Sequence, residues 1–225
     1  MNTVEPLYKT KTELAMDAIR RLVRSGDLSA GGRLDVGELS RRLGMSQTPI
    51  REAMRMLQAE GLLTRQAYAR TSIRHLSDRD RQELYALRAF LESFVVKLAV
   101  EKMTDEEWRQ LEEIHRSMEE AYRQNRPSDL IDVNRRWHLF LADIAKTAFA
   151  GDMMRRLLDA VSWHEVFLAP SNVKTSLHQH RAVMKAIGAR DAALASRLMR
   201  EHVISGQHRV PAREKPTTAG KRHAA

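Results

Sequence analysis

Gln47, Thr48, Arg51 and Arg55 are side chains of the kind that read duplex DNA, and their spacing gathers them on one face of a helix. Gln and Arg can address base edges in a major groove, or the phosphates beside it. Ile50, Met54 and Leu57 recur at helical spacing on the other side, so an apolar edge can anchor the segment while its polar edge carries no packing duty. A second group of residues has the chemistry of metal ligands. Asn134 and His138 are four apart and share a helix face that continues inward through Leu141 and Ala145. His180 leads the stripe Val183, Met184, Ile187, and His202 follows Leu194 and Leu198 at four-residue steps. Three imidazoles and one carboxamide can thus converge from three helices, a donor set suited to Zn, Ni or a similar divalent ion. The residues by themselves read more readily as ordinary core or surface histidines. His115, His164, His178 and His208 fall outside this pattern and are expected at the solvent or the rim. Arg88 lies within the apolar series Leu84, Leu87, Leu91, Val95, Leu98. A buried guanidinium needs an anion, either a nearby Asp or Glu or the carboxylate of a bound effector held bidentately; snorkelling to the surface is the third option.

The elements that must position these groups can be read from caps and periodicity. Thr12 is expected to cap a first helix lined by Leu14, Ala18, Leu22 and Val23, closed by Gly26. Asp35 opens a second, carrying Val36, Leu39 and Leu43 and stopping at Gly44. The tight link Gly44-Met45-Ser46 leads into the putting of a third helix across the second, with Ser46 or Thr48 as its cap and Pro49 in its first turn. Residues 62–65 and 71–74 suit two short strands, with 66–70 as the tip of a wing. The expected fold is mainly α: a winged helix-turn-helix over residues 10–76, then an all-α helical bundle over 77–210. Within that bundle Ser77-Asp78 caps a helix towards Lys102, and Thr104-Asp105-Glu106-Glu107 caps the next, which ends near 125–127. Ser128 starts a third helix holding Leu130, Trp137 and Leu141, and others cover about 150–168, 173–189 and 191–209. Residues 1–9 are expected to be flexible, and the basic tail 211–225, rich in Pro, Thr and charge, to be disordered.

Charge follows this division. The 225 residues carry a net charge of +9. Residues 1–76 hold 13 Lys and Arg against 8 Asp and Glu, whereas 77–210 hold 21 against 20 and the tail 4 against 1. The excess sits on the head and tail, as phosphate attraction requires, and the larger domain is no nucleic-acid surface by charge. With no cysteine there is neither a disulfide framework nor a thiolate metal site. No apolar run is long enough to span a bilayer and no signal-peptide core stands at the N-terminus, so a cytoplasmic protein without membrane partners is expected.

The run Leu39-Ser40-Arg41-Arg42-Leu43-Gly44-Met45-Ser46-Gln47-Thr48-Pro49-Ile50-Arg51-Glu52-Ala53-Met54, followed by Leu57, Glu60-Gly61-Leu62 and Ile73, resembles the GntR family of bacterial transcription regulators. That resemblance implies operator contacts from Ser46, Gln47, Thr48 and Arg51, with Arg55 as a weaker candidate. The family usually has Arg where Gln47 stands, and Gly near the wing tip where this chain has Ala69 and Arg70. Glycine allows close approach to a minor groove; Arg70 would offer a charge instead. The second half is similar to the FCD-type effector domain of the FadR subfamily. The matching features are Leu76-Ser77-Asp78 entering Glu83-Leu84-Tyr85-Ala86-Leu87-Arg88 and Leu91-Glu92, Asn134 with Trp137-His138, Gln179-His180 with Val183 and Ala186-Ile187, and Ala192 through Met199 to Glu201-His202. The resemblance implies a metal site at Asn134, His138, His180 and His202, where an Asp often replaces Asn134.

Together these readings describe a homodimeric, ligand-responsive regulator, a repressor of a metabolic operon, that binds double-stranded operator DNA and a small organic acid, the acid on a divalent ion (Zn or Ni) and near Arg88. A metal-dependent hydrolase or lyase using the three histidines is the alternative; it lacks an evident general base and leaves the DNA-reading head without a purpose. A DNA-binding protein indifferent to any effector is the third reading.

Overall fold

The computed structural model describes residues 9–28, 31–66, 70–161 and 170–207. The expected flexible N-terminus apart from Lys9, the wing tip at 67–69 and the basic tail lie outside the described residues; the helix expected over 150–168 ends already at Asp159, where Ala160 caps it, and 162–169 lie outside the described residues.

The head is built from α1 (Lys11–Arg24), β1 (Arg33–Leu34), α2 (Val36–Leu43), α3 (Gln47–Ala59), β2 (Leu63–Gln66) and β3 (Arg70–Ile73). Thr10, not Thr12, caps α1: its hydroxyl accepts from the Glu13 amide while Glu13 reaches back to the Thr10 amide, a reciprocal capping box. Thr12 instead donates to Glu52 Oε2 at 2.7 Å and ties α1 to α3. The inward stripe of α1 is Ala15, Met16, Ile19 and Val23; Leu14, expected inside, is 44% exposed. Asp35 caps α2 as expected, accepting from the Glu38 amide, and Gly44 ends it in the left-handed region at φ 63°. That conformation is nearly free only for glycine, and it turns the chain sharply into α3. Ser46 occupies the N-cap position of α3 without a side-chain cap bond. Ile50, Ala53, Met54 and Leu57 bury the inner edge of α3 against α1 and the sheet. The sheet has the order β1-β3-β2, all antiparallel, with Leu63 opposite Ile73 and Leu34 opposite Thr71. β1 was not legible beforehand, because two residues form a strand only where a partner edge is offered.

Six helices make up the described part of the second unit: α4 (Asp78–Lys102), α5 (Asp105–Arg123), α6 (Pro127–Ala145), α7 (Ala148–Asp159), α8 (Pro170–Gly188) and α9 (Ala192–Gly206). Ser77 and Thr104 form capping boxes with Asp80 and Glu107, as the sequence foretold. α6 begins one residue earlier than expected, with Pro127 in its first turn. α4 packs on α9 and α6, α5 on α6, and α8 on α9. Trp137, Leu141, Ile187, Leu111 and Met199 are buried in the shared core. The apolar series read along α4 is split by the packing. Leu84 and Val95 are buried, but Leu87 is 50% exposed, and Phe90 and Phe94 are also exposed. The inward face runs through Tyr85, Arg88, Glu92, Val96 and Ala99, so it includes two charged residues.

Candidate metal centre and nucleic-acid face

Asn134 and His138 share one face of α6, and periodicity turns that face into the bundle because Leu130, Leu141 and Ala145 lie on it as well. His180 comes from α8 and His202 from α9, so three helices deliver four polar groups to one apolar interior. All four are buried: Asn134 is 2% exposed, His138 1%, His180 0% and His202 6%. Among the described residues, each of the three histidines offers a ring nitrogen within 4.8 Å of the others. The ring centroids of His180 and His202 lie 4.4 Å apart and nearly perpendicular, and those of His138 and His180 5.3 Å apart. Trp137 stacks obliquely on His180 at 4.3 Å, which walls the group on one side.

The chemistry of this donor set fits a divalent transition ion. Nitrogens bound tetrahedrally to one such ion at about 2.1 Å stand about 3.4 Å apart, so a cluster whose nitrogens lie within 4.8 Å of one another would tighten by no more than about 1.4 Å. The buried His138 Nε2 has no hydrogen-bond partner, in a core where an unsatisfied group costs about 1–3 kcal/mol. The ring nitrogens of two ligands are already oriented. Glu92 Oε2 lies 2.5 Å from His138 Nδ1, and Gln179 Oε1 lies 3.1 Å from His202 Nδ1. Protons on the two Nδ1 atoms, facing those oxygens, leave the Nε2 lone pairs available for an ion.

Glu92 is the residue that sequence reasoning missed. It sits one turn beyond Arg88 on α4, is 1% exposed, and accepts from Arg88 Nε at 2.8 Å. Of the partners left open for Arg88, the structure supplies a neighbouring acid, and the guanidinium does not snorkel. Burial disfavours the ionised Glu92, but the Arg88 guanidinium and the close approach of the His138 ring outweigh it and hold the carboxyl at about 2. A carboxylate so acidic is a poor general base. The i,i+4 spacing of Arg88 and Glu92 was the available signal; an acid beside Leu91 simply reads as surface. Of the remaining histidines, His178 is exposed, while His115 is half-buried with its ring 6.4 Å from that of His180. Burial lowers the His115 pKa, against the opposing pull of Glu119. His164 and His208 lie outside the described residues.

At the other end of the chain, Ser46, Gln47, Thr48, Arg51 and Arg55 are all exposed along the start and outer face of α3. Arg51 Nη2 donates to Gln47 Oε1 at 3.1 Å, so the two side chains are held side by side one turn apart. Arg41 and Arg42 are exposed in the last turn of α2, adding positive charge near the same corner. Arg70 opens β3; the expectation for its side chain lies, with the wing tip, outside the described residues.

Comparison with known proteins places both halves. Residues 83–205 match the FCD domain, and residues 11–73 match the bacterial regulatory proteins of the gntR family. The chain is 25% identical over 193 residues to the uncharacterized HTH-type transcriptional regulator YdhC of Bacillus subtilis, covering 83% of each chain. It is 28% identical over 171 residues to the HTH-type transcriptional regulator McbR of Escherichia coli, covering 74% of this chain and 77% of McbR. It is 25% identical over 191 residues to the HTH-type transcriptional repressor GlaR of the same organism, covering 80% and 86%. The solved structure of E. coli McbR/YncC shares the fold, with a TM-score of 0.79 at 22% identity over 87% of this chain and 94% of that one.

Proposed function

The chain belongs to the GntR family of transcription regulators, with an FCD domain behind a winged DNA-binding head, and we propose that its effector is a small organic acid received at a divalent ion. Asn134, His138, His180 and His202 would hold that ion, Zn or Ni by donor chemistry. The observation that carries this reading is the convergence of three buried imidazoles, two of them already oriented by Glu92 and Gln179. Bound there, the ion supplies a Lewis-acid anchor for a carboxylate. All four candidate ligands are neutral, and Arg88 and Glu92 offset one another, so a dication would leave an excess of about two positive charges in a low-dielectric core. An anionic effector relieves that excess; a neutral one does not. The Arg88–Glu92 pair would form part of the charged wall the acid meets.

A ligand that binds only the folded state raises its stability by mass action, about 2.7 kcal/mol at a hundred times its dissociation constant. Melting of the full chain with Zn or Ni, then with a panel of small carboxylic acids, is expected to rise with the metal and rise again with the right acid. A chelator should abolish both increments. Acids that stabilise equally after chelation would exclude the metal-borne effector.

Operator recognition is assigned to Ser46, Gln47, Thr48, Arg51 and Arg55, with Arg70 at the wing. We further propose a homodimer that sets two heads on the half-sites of an imperfect palindrome. Phe90 and Phe94, 69% and 49% exposed and four residues apart on α4, are the apolar face assigned to the second copy. Solvated aromatic pairs of this kind on a helix face mark interaction sites. Phe90→Asp is expected to weaken self-association by about 2 kcal/mol or more, read by sedimentation equilibrium, with the helical spectrum unchanged. Equal association of the two chains would move the interface elsewhere.

A further inference from the structure

The head meets the effector domain across a partly buried ionic cluster centred on Asp159, the last residue of α7. One Asp159 carboxylate lies 3.2 Å from Arg20 Nε, 3.7 Å from Arg24 Nη1 and 3.0 Å from Arg135 Nε. Arg20 also pairs with Glu60, the residue that ends α3, and Arg24 with Asp132 of α6 at 3.3 Å. Arg20 also reaches Asp17 on its own helix at 3.5 Å, so three arginines meet four acids here. The Asp159 and Arg24 side chains are only 12% and 11% exposed, so salt screens this group less than an ordinary surface pair. An acid at a helix C-terminus opposes the helix dipole, and it is the convergent guanidiniums that make Asp159 tolerable there. Beside the cluster runs a cleft of about 290 Å³, lined by Glu60 and Arg74 of the head and by Leu84, Arg156, Asp159 and Val161 of the effector domain.

The path across the cluster is contiguous: Glu60 caps the C-terminus of α3 and holds Arg20, Arg20 faces Asp159, and Asp159 faces Arg135. Arg135 is the neighbour of Asn134 on α6, so one turn of one helix bears a candidate metal ligand on its inner side and a latch residue on its outer side. We propose that Asp159 is an electrostatic latch that fixes the orientation of the head on the effector domain and joins the recognition helix to the helix of Asn134 and His138. This rests on the reading above of α3 as the DNA-reading element and of α6 as part of the effector site. A ligand that draws Asn134 and His138 together shifts α6 and with it Arg135 and Asp132. It thereby favours one setting of the latch, which is the differential contact that coupling between two sites requires.

The test uses the full chain without DNA or metal, so that it stands apart from whether either is bound. Because the chain has no cysteine, Glu38→Cys on α2 and Lys185→Cys on α8, both exposed, accept spin labels selectively. Labelled chain is diluted into unlabelled chain, and the distance distribution is measured by double electron–electron resonance. The parent is expected to give one narrow distribution. Asp159→Asn and, separately, Arg20→Gln are expected to widen it several-fold with unchanged helical circular dichroism, while Asp152→Asn, on the same helix but outside the cluster, leaves it narrow. Should Asp159→Asn not fold, Arg20→Gln decides alone. A distribution as narrow as the parent's in the folded cluster variants overturns the latch.

Discussion

His138→Ala and His202→Ala chains are expected to lose tight metal retention while keeping their helical spectrum. Each substitution removes one of three imidazoles that meet from separate helices, and two imidazoles with a neutral carboxamide make a weak site for a divalent ion. The loss should exceed the about 10–100-fold that follows from removing an outer partner of a ligand. Dialysis followed by elemental analysis, with competition against a chelator of known affinity, reads both occupancy and affinity; unchanged occupancy in both variants would remove the site. Glu92→Gln separates the two roles of the missed acid. As the partner of His138 Nδ1, its loss should weaken metal binding by about 10–100-fold. As the ion-pair partner of buried Arg88, its loss should also destabilise the metal-free chain, which His138→Ala does much less, because removing one partner of a buried ion pair costs about 3–5 kcal/mol. The pH dependence has a definite sign. The Glu92 carboxyl is held at about 2, below its ordinary 4.5, so its contribution is complete above about pH 4.5 and disappears as the pH falls towards 2. Glu92→Gln should therefore flatten that acid limb of the unfolding curve.

Arg51→Ala is expected to weaken binding to the specific operator by about 1–3 kcal/mol, the worth of one good base contact, without altering stability by more than about 0.5 kcal/mol. Arg51 is exposed, and its only described side-chain bond is to Gln47, so the head core does not depend on it. The form of the loss identifies what Arg51 touches. A base contact is lost for the cognate sequence and relaxes preference at one position. A phosphate contact is lost equally for all sequences and lowers the salt slope by about one. Gel-shift titrations at several salt concentrations, on cognate and scrambled duplexes, distinguish these. Gln47→Ala should act in the same direction, since it also frees Arg51 from its local partner. Operator affinity equal to the parent's in the Arg51 variant would disprove the assignment of α3 as the reading helix.

Local signals settled much of this architecture before any coordinates. Asp35, Gly44, Ser77 and Thr104 mark helix ends through bonds to residues three or four away, and those bonds form whatever the rest of the chain does. The four-residue spacings around His138 and His180 likewise placed those imidazoles on inward faces, because the neighbouring Leu, Val and Ile are buried; His202 is instead carried inward with Ala195, Met199 and Val203, while Leu194 and Leu198 are only partly buried. What distance along the chain could not determine was left to packing. Thr10 and Thr12 are equally good caps by type, and the nearness of Glu52 on α3 takes Thr12 out of that role. Phe90 and Phe94 on α4 are as apolar as Val95 and Val96, and only the directions of α6 and α9 decide which pair is covered. The charge of Glu92 made it look like a surface residue until Arg88 and a histidine from another helix were brought against it, and Asp159 found its three arginines on α1 and α6 in the same way. Caps and periodicities are interactions within one element, so the sequence by itself determined where most of the helices lie. Charge compensation and the choice of covered face are interactions between elements, whose free energy does not exist until the helices have packed.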